Sequence, residues 1–391
     1  MKRKIAFVLL FIFLFSILQG GVAFAADTSN DKYEITHTDM DFNCNSAILI
    51  DSATGTVLYS KNEKEEASPA SVTKIMTLLL VMEALRDGVV SLEDTVFVSS
   101  NAASMGGSQV FLEEGEKISL EDLIKCTVIA SGNDSAVALA EHIAGSESAF
   151  VKRMNERADS LGLKNTRFEN VTGLDDTTVD HVSCAYDIAV MSRELISHEL
   201  ITKYSSLWQD SIRGGEFVLT NTNRLVRYYD GCNGLKTGST DKAGFCVSVS
   251  AKREDLELIA VVMGAPTRDI RNNIARELLD YGFSSYAVYS EGERMLENVE
   301  IRGSYVTSAP VYSEGFVALV NKADLKKINK VYSIPESICA PVESGTPIGF
   351  VEYKIGDKTV GVADIFVKDA FCRIDYLDIF IKMLKNCLFI E

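Results

Sequence analysis

The sequence predicts a mixed α/β (α+β) fold, followed by a small all-β domain and an amphipathic terminal helix. Three observations carry this. Between residues 46 and 283, apolar strand patterns flank a series of amphipathic helical ones; from about Glu291 the texture changes to short β-rich runs; and 369–391 returns to helical spacing. The expected organisation is a leader at 1–25, a main domain at 26–290, an all-β domain at 291–368 and a helix at 369–391.

The leader "MKRKIAFVLLFIFLFSILQGGVAFAA" joins a basic start (Lys2, Arg3, Lys4) to an apolar stretch and the small-x-small site Ala23-Phe24-Ala25. That is the pattern of a secretory signal peptide, cut near Ala25 or Ala26. "NSAILIDSATGTVLYSKN" then reads as a hairpin turning at Thr54 and Gly55. A helix over about 71–85 follows, with Gly88 beyond its end. A second helix starts at Ser119, an N-cap residue type with Glu121 and Asp122 in the first turn. It is broken at "SGND" before "SAVALAEHIAG", and "AYDIAVMSRELI" is amphipathic at helical spacing. "GFCVSVSAKREDLELIAVVMG" predicts two apolar strands joined at 253–255, and "TRDIRNNIARELLDYGF" a closing helix.

In the last segment Phe371, Ile374, Leu377, Phe380 or Ile381, Leu384 and Leu388 recur at spacings of three and four, interrupted by Arg373, Asp375, Asp378, Lys382 and Lys385. Those charges are too frequent for a membrane span, and the pattern points to a helix lying on a membrane surface. A terminal helix docked on its own protein is the alternative.

Composition narrows the function classes. The formal charge of the 391 residues is −16, or −19 once the three basic leader residues are gone, so nucleic acid is not an expected partner. Eight cysteines lie at irregular spacings without a C-x-x-C, several inside apolar runs, which predicts mostly free thiols. No metal-ligand spacing occurs and only four histidines are present.

Chemistry concentrates in three places. Ser71-Val72-Thr73-Lys74 is an S-x-x-K, and an i, i+3 helical spacing brings the ammonium side chain of Lys74 to the hydroxyl of Ser71. A serine needs a base to become a nucleophile, and a desolvated lysine near other cations can be neutral enough to serve. Ser131-Gly132-Asn133 sits at the break between two apolar helical segments. Lys236-Thr237-Gly238 stands just before the apolar strand that begins at Gly244. Taken singly, each has a plain structural reading: an N-cap with a solvated lysine, a helix-helix turn, an edge-strand lysine.

In the order S-x-x-K, S-x-N, K-T-G, with gaps of about sixty and one hundred residues, the set resembles the penicilloyl serine transferases, the superfamily of penicillin-binding proteins and β-lactamases. With "SPASVTKIMT", "GLKTGSTDKAGF", the β domain and the amphipathic tail, the chain resembles a low-molecular-mass penicillin-binding protein of the D-alanyl-D-alanine carboxypeptidase family. The resemblance implies the serine β-lactamase/DD-peptidase-like transpeptidase fold. It also implies a serine peptidase that removes the terminal D-alanine from peptidoglycan stem peptides, without a cofactor or metal. Ser71 would be the acylated nucleophile, Lys74 its base and Ser131 a proton relay. Asn133, Lys236, Thr237 and Gly238 would hold the substrate, and the backbone N–H groups of Ser71 and Ser239 would form the oxyanion hole. The implied partners are stem peptides ending in D-Ala-D-Ala, β-lactams as covalent inhibitors and, through the tail, the extracytoplasmic membrane surface.

Two stretches depart from the family pattern. Ser239 stands where histidine is frequent, and "FENVTGLDD" where Asn-Pro-x-Gly-Leu is usual. Four readings share the motifs: a carboxypeptidase, a DD-endopeptidase, a β-lactamase and a sensor that acylates without turnover. No E-x-x-L-N lies between Asn133 and Lys236 to supply the deacylating glutamate of class A β-lactamases, and Glu169 does not fit that pattern.

Overall fold

The computed structural model describes residues 33–34, 40–176 and 178–388; the leader expected at 1–25 lies outside the described residues. Among them, the main unit is built on a five-stranded antiparallel sheet. Its strands are β1 (Ser46–Asp51), β2 (Val57–Lys61), β3 (Cys232–Thr240), β4 (Gly244–Arg253) and β5 (Leu256–Ala265), in the order β2-β1-β5-β4-β3.

The sheet is covered on both faces, and the strand pattern explains how. Alternate residues of a strand point to opposite faces. Ile259, Val261 and Met263 of β5 therefore join one apolar cluster with Ile48 and Ile50, while Leu258, Ala260 and Val262 join another with Ala47 and Leu49. Strands buried on both sides read as unbroken apolar runs, which is how β4 and β5 stand out in the sequence.

The first cluster lies under α1 (Lys74–Arg86), α2 (Leu120–Ile129), α3 (Asn133–Ala144), α4 (Glu147–Ser160) and α5 (Ala185–Ile196); the second lies under α6 (Arg268–Ser285). Several caps follow the sequence: Ser119 accepts from the N–H of Asp122, Ser146 from Ala149 and Thr267 from Ile270. The helix start near residue 71 differs from expectation. Ala70–Thr73 forms a 3-10 turn and the α-helix begins at Lys74, after Pro69 and an Ala70 held at φ 47°.

Beyond α6 and before the last helix the chain is β-structured, apart from a 3-10 turn at Lys322–Lys327. A six-stranded sheet carries its own apolar core of Val299, Val311, Val351, Tyr353, Ile365 and Val367. Phe316 and Tyr353 stack within it at 3.9 Å. The strand Tyr286–Glu291 follows α6 directly and pairs with Phe316–Asn321, so β structure begins a few residues before the change of texture at Glu291.

The terminal helix, Tyr376–Leu388, exposes Leu377, Phe380, Met383, Leu384 and Leu388. Docking on the rest of the protein would have buried this face. Among the described residues, no helix is long and apolar enough to cross a membrane.

Candidate active site

Ser71 occupies the 3-10 turn, and Lys74 is the first residue of α1, still on the side of Ser71 because side chains three apart eclipse in a 3-10 turn. The helix behind them is apolar nearly all round, with Ile75, Met76, Leu78 and Leu79 buried. It is a fixed wall. Lys74 is fully buried (0 % exposed), and its Nζ lies 2.6 Å from Asn133 Oδ1, 2.8 Å from the Thr172 carbonyl and 3.0 Å from Ser71 Oγ.

The burial of Lys74 favours the neutral amine. Burial first, then the nearby Lys236 cation, pushes the pKa of Lys74 well below the ordinary lysine value, with Asp134 opposing. A neutral amine has two N–H groups and one lone pair. When the two N–H groups donate to Asn133 and Thr172, the lone pair is left for the hydroxyl of Ser71.

The second motif falls where the helices break. Ser131 lies between α2 and α3 at φ 64°, a left-handed conformation that non-glycine residues adopt mainly where their surroundings hold them. Asn133, the first residue of α3, donates from Nδ2 to the Gly106 carbonyl at 2.7 Å while its Oδ1 accepts from Lys74. Its amide is thereby oriented, and one N–H of Nδ2 remains for a ligand carbonyl.

The third motif lies on β3, the edge strand. Lys236 is 1 % exposed, unlike an ordinary edge lysine, and donates to Ser131 Oγ at 2.7 Å and to the Thr237 carbonyl at 2.9 Å. Burial and then Arg271 lower its pKa to about 7. Thr237 Oγ1 donates to Thr222 Oγ1 at 2.9 Å. At Gly238 a Cβ would stand 2.8 Å from the Ser71 nitrogen and 2.9 Å from that of Val72, so only glycine lets the strand lie this close to the nucleophile turn. All seven residues singled out in the sequence thus converge. Ser71, Ser131, Thr237, Gly238 and Ser239 line one cleft of about 610 Å³.

The loop at 168–176, which departs from the family pattern, is part of this construction. Asn170 Oδ1 accepts from the N–H groups of Thr172 (3.1 Å) and Gly173 (2.7 Å), and its Nδ2 donates to Leu174 O at 2.7 Å. This fixes the Thr172 carbonyl against Lys74. Asp175 Oδ2 accepts from Ser68 and from Thr240, joining the loop, the segment before the nucleophile and the end of β3. His181 accepts the Glu169 N–H at Nδ1, so its neutral ring carries the proton at Nε2, 2.8 Å from Thr73 Oγ1; burial holds its pKa down to about 4. Glu169 itself accepts from the N–H groups of Val179 and Asp180 and is thereby committed to the loop.

Sequence reasoning missed Arg271. Its guanidinium is buried and lines the cleft, donating to Cys246 O and Asn272 Oδ1, and no carboxylate of the described residues pairs with it. Burial, then Arg268, lowers its pKa to about 10. In the sequence it is one more polar residue of an amphipathic helix, and nothing there marks it as buried. No cluster of metal-ligating side chains occurs among the described residues.

Residues 33–267 match the D-alanyl-D-alanine carboxypeptidase peptidase family, and 283–371 match the penicillin-binding protein 5 C-terminal domain. The chain belongs to the D-alanyl-D-alanine carboxypeptidase family. It is 40% identical over 376 residues to D-alanyl-D-alanine carboxypeptidase DacF of Bacillus subtilis, covering 94% of each chain. With DacC of Escherichia coli it shares 32% identity, over 92% of this chain and 89% of that one. Penicillin-binding protein 5 from Haemophilus influenzae has the same architecture: TM-score 0.73 at 28% identity, over 86% of this chain and 99% of that one. Penicillin-binding protein D2 from Listeria monocytogenes, solved in an ampicillin-bound form, matches at TM-score 0.58 and 29% identity over 63% of this chain and 99% of that one.

Proposed function

We propose that this serine-type D-Ala-D-Ala carboxypeptidase acylates at Ser71 and releases the terminal D-alanine of peptidoglycan stem pentapeptides. The observation that carries the assignment is the set of three contacts at Lys74 Nζ, which directs an amine lone pair at the Ser71 hydroxyl. Lys74 takes the Ser71 proton as Oγ attacks the carbonyl carbon of the penultimate D-alanine. The oxyanion that forms faces the backbone N–H groups of Ser71 and Ser239, fixed dipoles that need no reorganisation. The C–N bond then breaks, and the leaving nitrogen receives the proton by way of Ser131, which Lys236 orients. Water hydrolyses the ester and restores Ser71.

Binding follows the same geometry. The terminal carboxylate meets Lys236 and Arg271, two buried cations without a carboxylate of the described residues as partner, while Thr237 lines the pocket beside them. Asn133 holds the carbonyl on the acyl side through its remaining N–H, and Gly238 admits the backbone. A β-lactam presents the same carbonyl and carboxylate, so it acylates Ser71 and stays. With Glu169 committed to Val179 and Asp180, no glutamate of that loop is placed to speed deacylation, which favours a peptidase over a β-lactamase.

Export rests on the leader at 1–25, and the division at 26–290, 291–368 and 369–391 on the change of texture and the separate β core. The exposed apolar face of the terminal helix supports peripheral attachment to the extracytoplasmic membrane surface. The test of the activity is release of D-alanine from diacetyl-lysyl-D-alanyl-D-alanine. Release by wild type but not by Ser71→Ala supports the assignment, and stable penicillin labelling without release contradicts it.

A further inference from the structure

Acylation as proposed above creates a buried charge. When Ser71 Oγ bonds to the substrate carbonyl carbon, the hydroxyl O–H breaks and its proton passes to Lys74 Nζ, so an ammonium forms on a side chain that is 0 % exposed. Burying an ammonium without a counter-charge is costly. Lys236, the cation that donates to Ser131 across the cleft, makes the cost greater. The groups that Nζ meets directly on the other elements, Asn133 Oδ1 of α3 and the Thr172 carbonyl of the 168–176 loop, are neutral dipoles.

Behind those dipoles lies a carboxylate that the mechanism has not used. Asp134 follows Asn133 in the first turn of α3, is 1 % exposed, and has no lysine or arginine within ion-pair distance among the described residues. Its Oδ2 accepts from the N–H groups of Val110 (2.9 Å) and Leu112 (3.2 Å), and its Oδ1 from that of Ser135 (2.8 Å). Three N–H donors and the positive end of a helix keep it ionised in the interior. The other titratable groups that face it leave its charge free. Cys126 of α2 is a thiol whose pKa is raised, by burial first and then by Asp134. Arg213, in the 209–220 hairpin, is held at 2.8 Å by each oxygen of Glu116. At Lys74, burial and then Lys236 disfavour the ammonium, and Asp134 is the group that favours it.

We propose that Asp134 is the internal counter-charge of Lys74, a positioning residue that touches no reacting atom and stabilises the ammonium between its formation and the passage of the proton to Ser131. This role rests on the acylation chemistry proposed above. The anion makes the buried amine basic enough to take the Ser71 proton while Lys236 pulls the other way. Without it Lys74 is a weaker base, and the pH at which Lys74 becomes protonated and inactive moves down. Lys236 is governed by burial and then Arg271. The limb of the pH profile that belongs to Lys236 therefore serves as an internal control.

The test is the pH profile of kcat/KM for D-alanine release from diacetyl-lysyl-D-alanyl-D-alanine by the full-length enzyme, Asp134→Asn and Asp134→Glu. Asparagine keeps the size and one acceptor and removes the charge. We expect its acid limb to move about one unit to lower pH, and its plateau to fall about threefold, because a weaker base abstracts the proton less readily. The alkaline limb should stay where it is. Asp134→Glu keeps the charge, so its acid limb should lie within a few tenths of a unit of that of the wild type. Labelling of Ser71 by fluorescent penicillin reports that each variant is folded. A merely structural role would lower the whole profile and move neither limb. An unmoved acid limb in folded Asp134→Asn would overturn the proposal. So would an acid limb displaced by about a full unit in Asp134→Glu, a comparison that does not need the asparagine variant to fold. A wild-type enzyme that releases no D-alanine would instead overturn the carboxypeptidase assignment on which the role rests.

Discussion

Lys236 Nζ donates to Ser131 Oγ at 2.7 Å, so the lysine of an edge strand and the serine of a helix break are joined across the cleft. The bond gives Ser131 a fixed orientation and leaves its own O–H free to pass a proton on. Ser131→Ala should therefore lower kcat for D-alanine release by roughly 10²- to 10⁴-fold, the range of general acid–base assistance. The Ser71–Lys74 pair stays intact in this variant. The check is steady-state kinetics beside a thermal melt, and full activity in a folded Ser131→Ala enzyme would remove the relay.

The two buried lysines set opposite limbs of the pH profile. Lys74 serves as a free amine, so activity falls as pH drops through its depressed pKa. Lys236 serves as an ammonium, and with its pKa held to about 7 its attraction for a carboxylate fades as pH rises through that value. A bell-shaped kcat/KM with an alkaline limb near 7 is expected. A bound carboxylate favours the ammonium, so the same limb in kcat should lie at higher pH. A kcat/KM still rising through pH 9 would contradict the role given to Lys236.

Gly173 permits the loop to meet the nucleophile turn. At φ 81° a Cβ there would stand 1.8 Å from the carbonyl oxygen of Ala70, so Gly173→Ala combines a strained backbone with a clash against main chain. We expect a loss of about 3 kcal/mol or more in stability, read as a lowered melting temperature. An unchanged melt would mean that the turn and loop can separate freely.

Asn170→Ala removes the side chain that fixes the Thr172 carbonyl. Each lost hydrogen bond costs about 1 kcal/mol, and a loosened carbonyl frees one N–H of Lys74 to compete for Ser71. We expect kcat/KM to fall about tenfold, more than the change in melting temperature alone accounts for. Asn170→Asp, which keeps the acceptor, should recover part of it.

Much of this was legible in the sequence because strand and helix periods differ and because burial on both faces leaves unbroken apolar runs. The hairpin at 46–61, strands β4 and β5 and the helix after Thr267 appear where the pattern puts them. The residues of the three motifs were legible as types and spacings, and the fold brings them together. Less visible was the 3-10 turn at Ser71: Pro69 and the left-handed Ala70 delay the α-helix to Lys74, and alanine carries no local signal for that conformation. Arg271, Asn170 and Asp175 could not be placed either. Their roles depend on contacts with segments far away in the chain, such as the Asp175 bond to Thr240.

The most direct test of the account is intact-protein and peptide mass spectrometry after brief exposure to penicillin. One penicillin mass should appear per chain, located on the peptide that carries Ser71, and none on Ser71→Ala, which should also release no D-alanine from diacetyl-lysyl-D-alanyl-D-alanine. An adduct on another residue, or D-alanine release by Ser71→Ala, would contradict the claim that Ser71, deprotonated by Lys74, is the nucleophile.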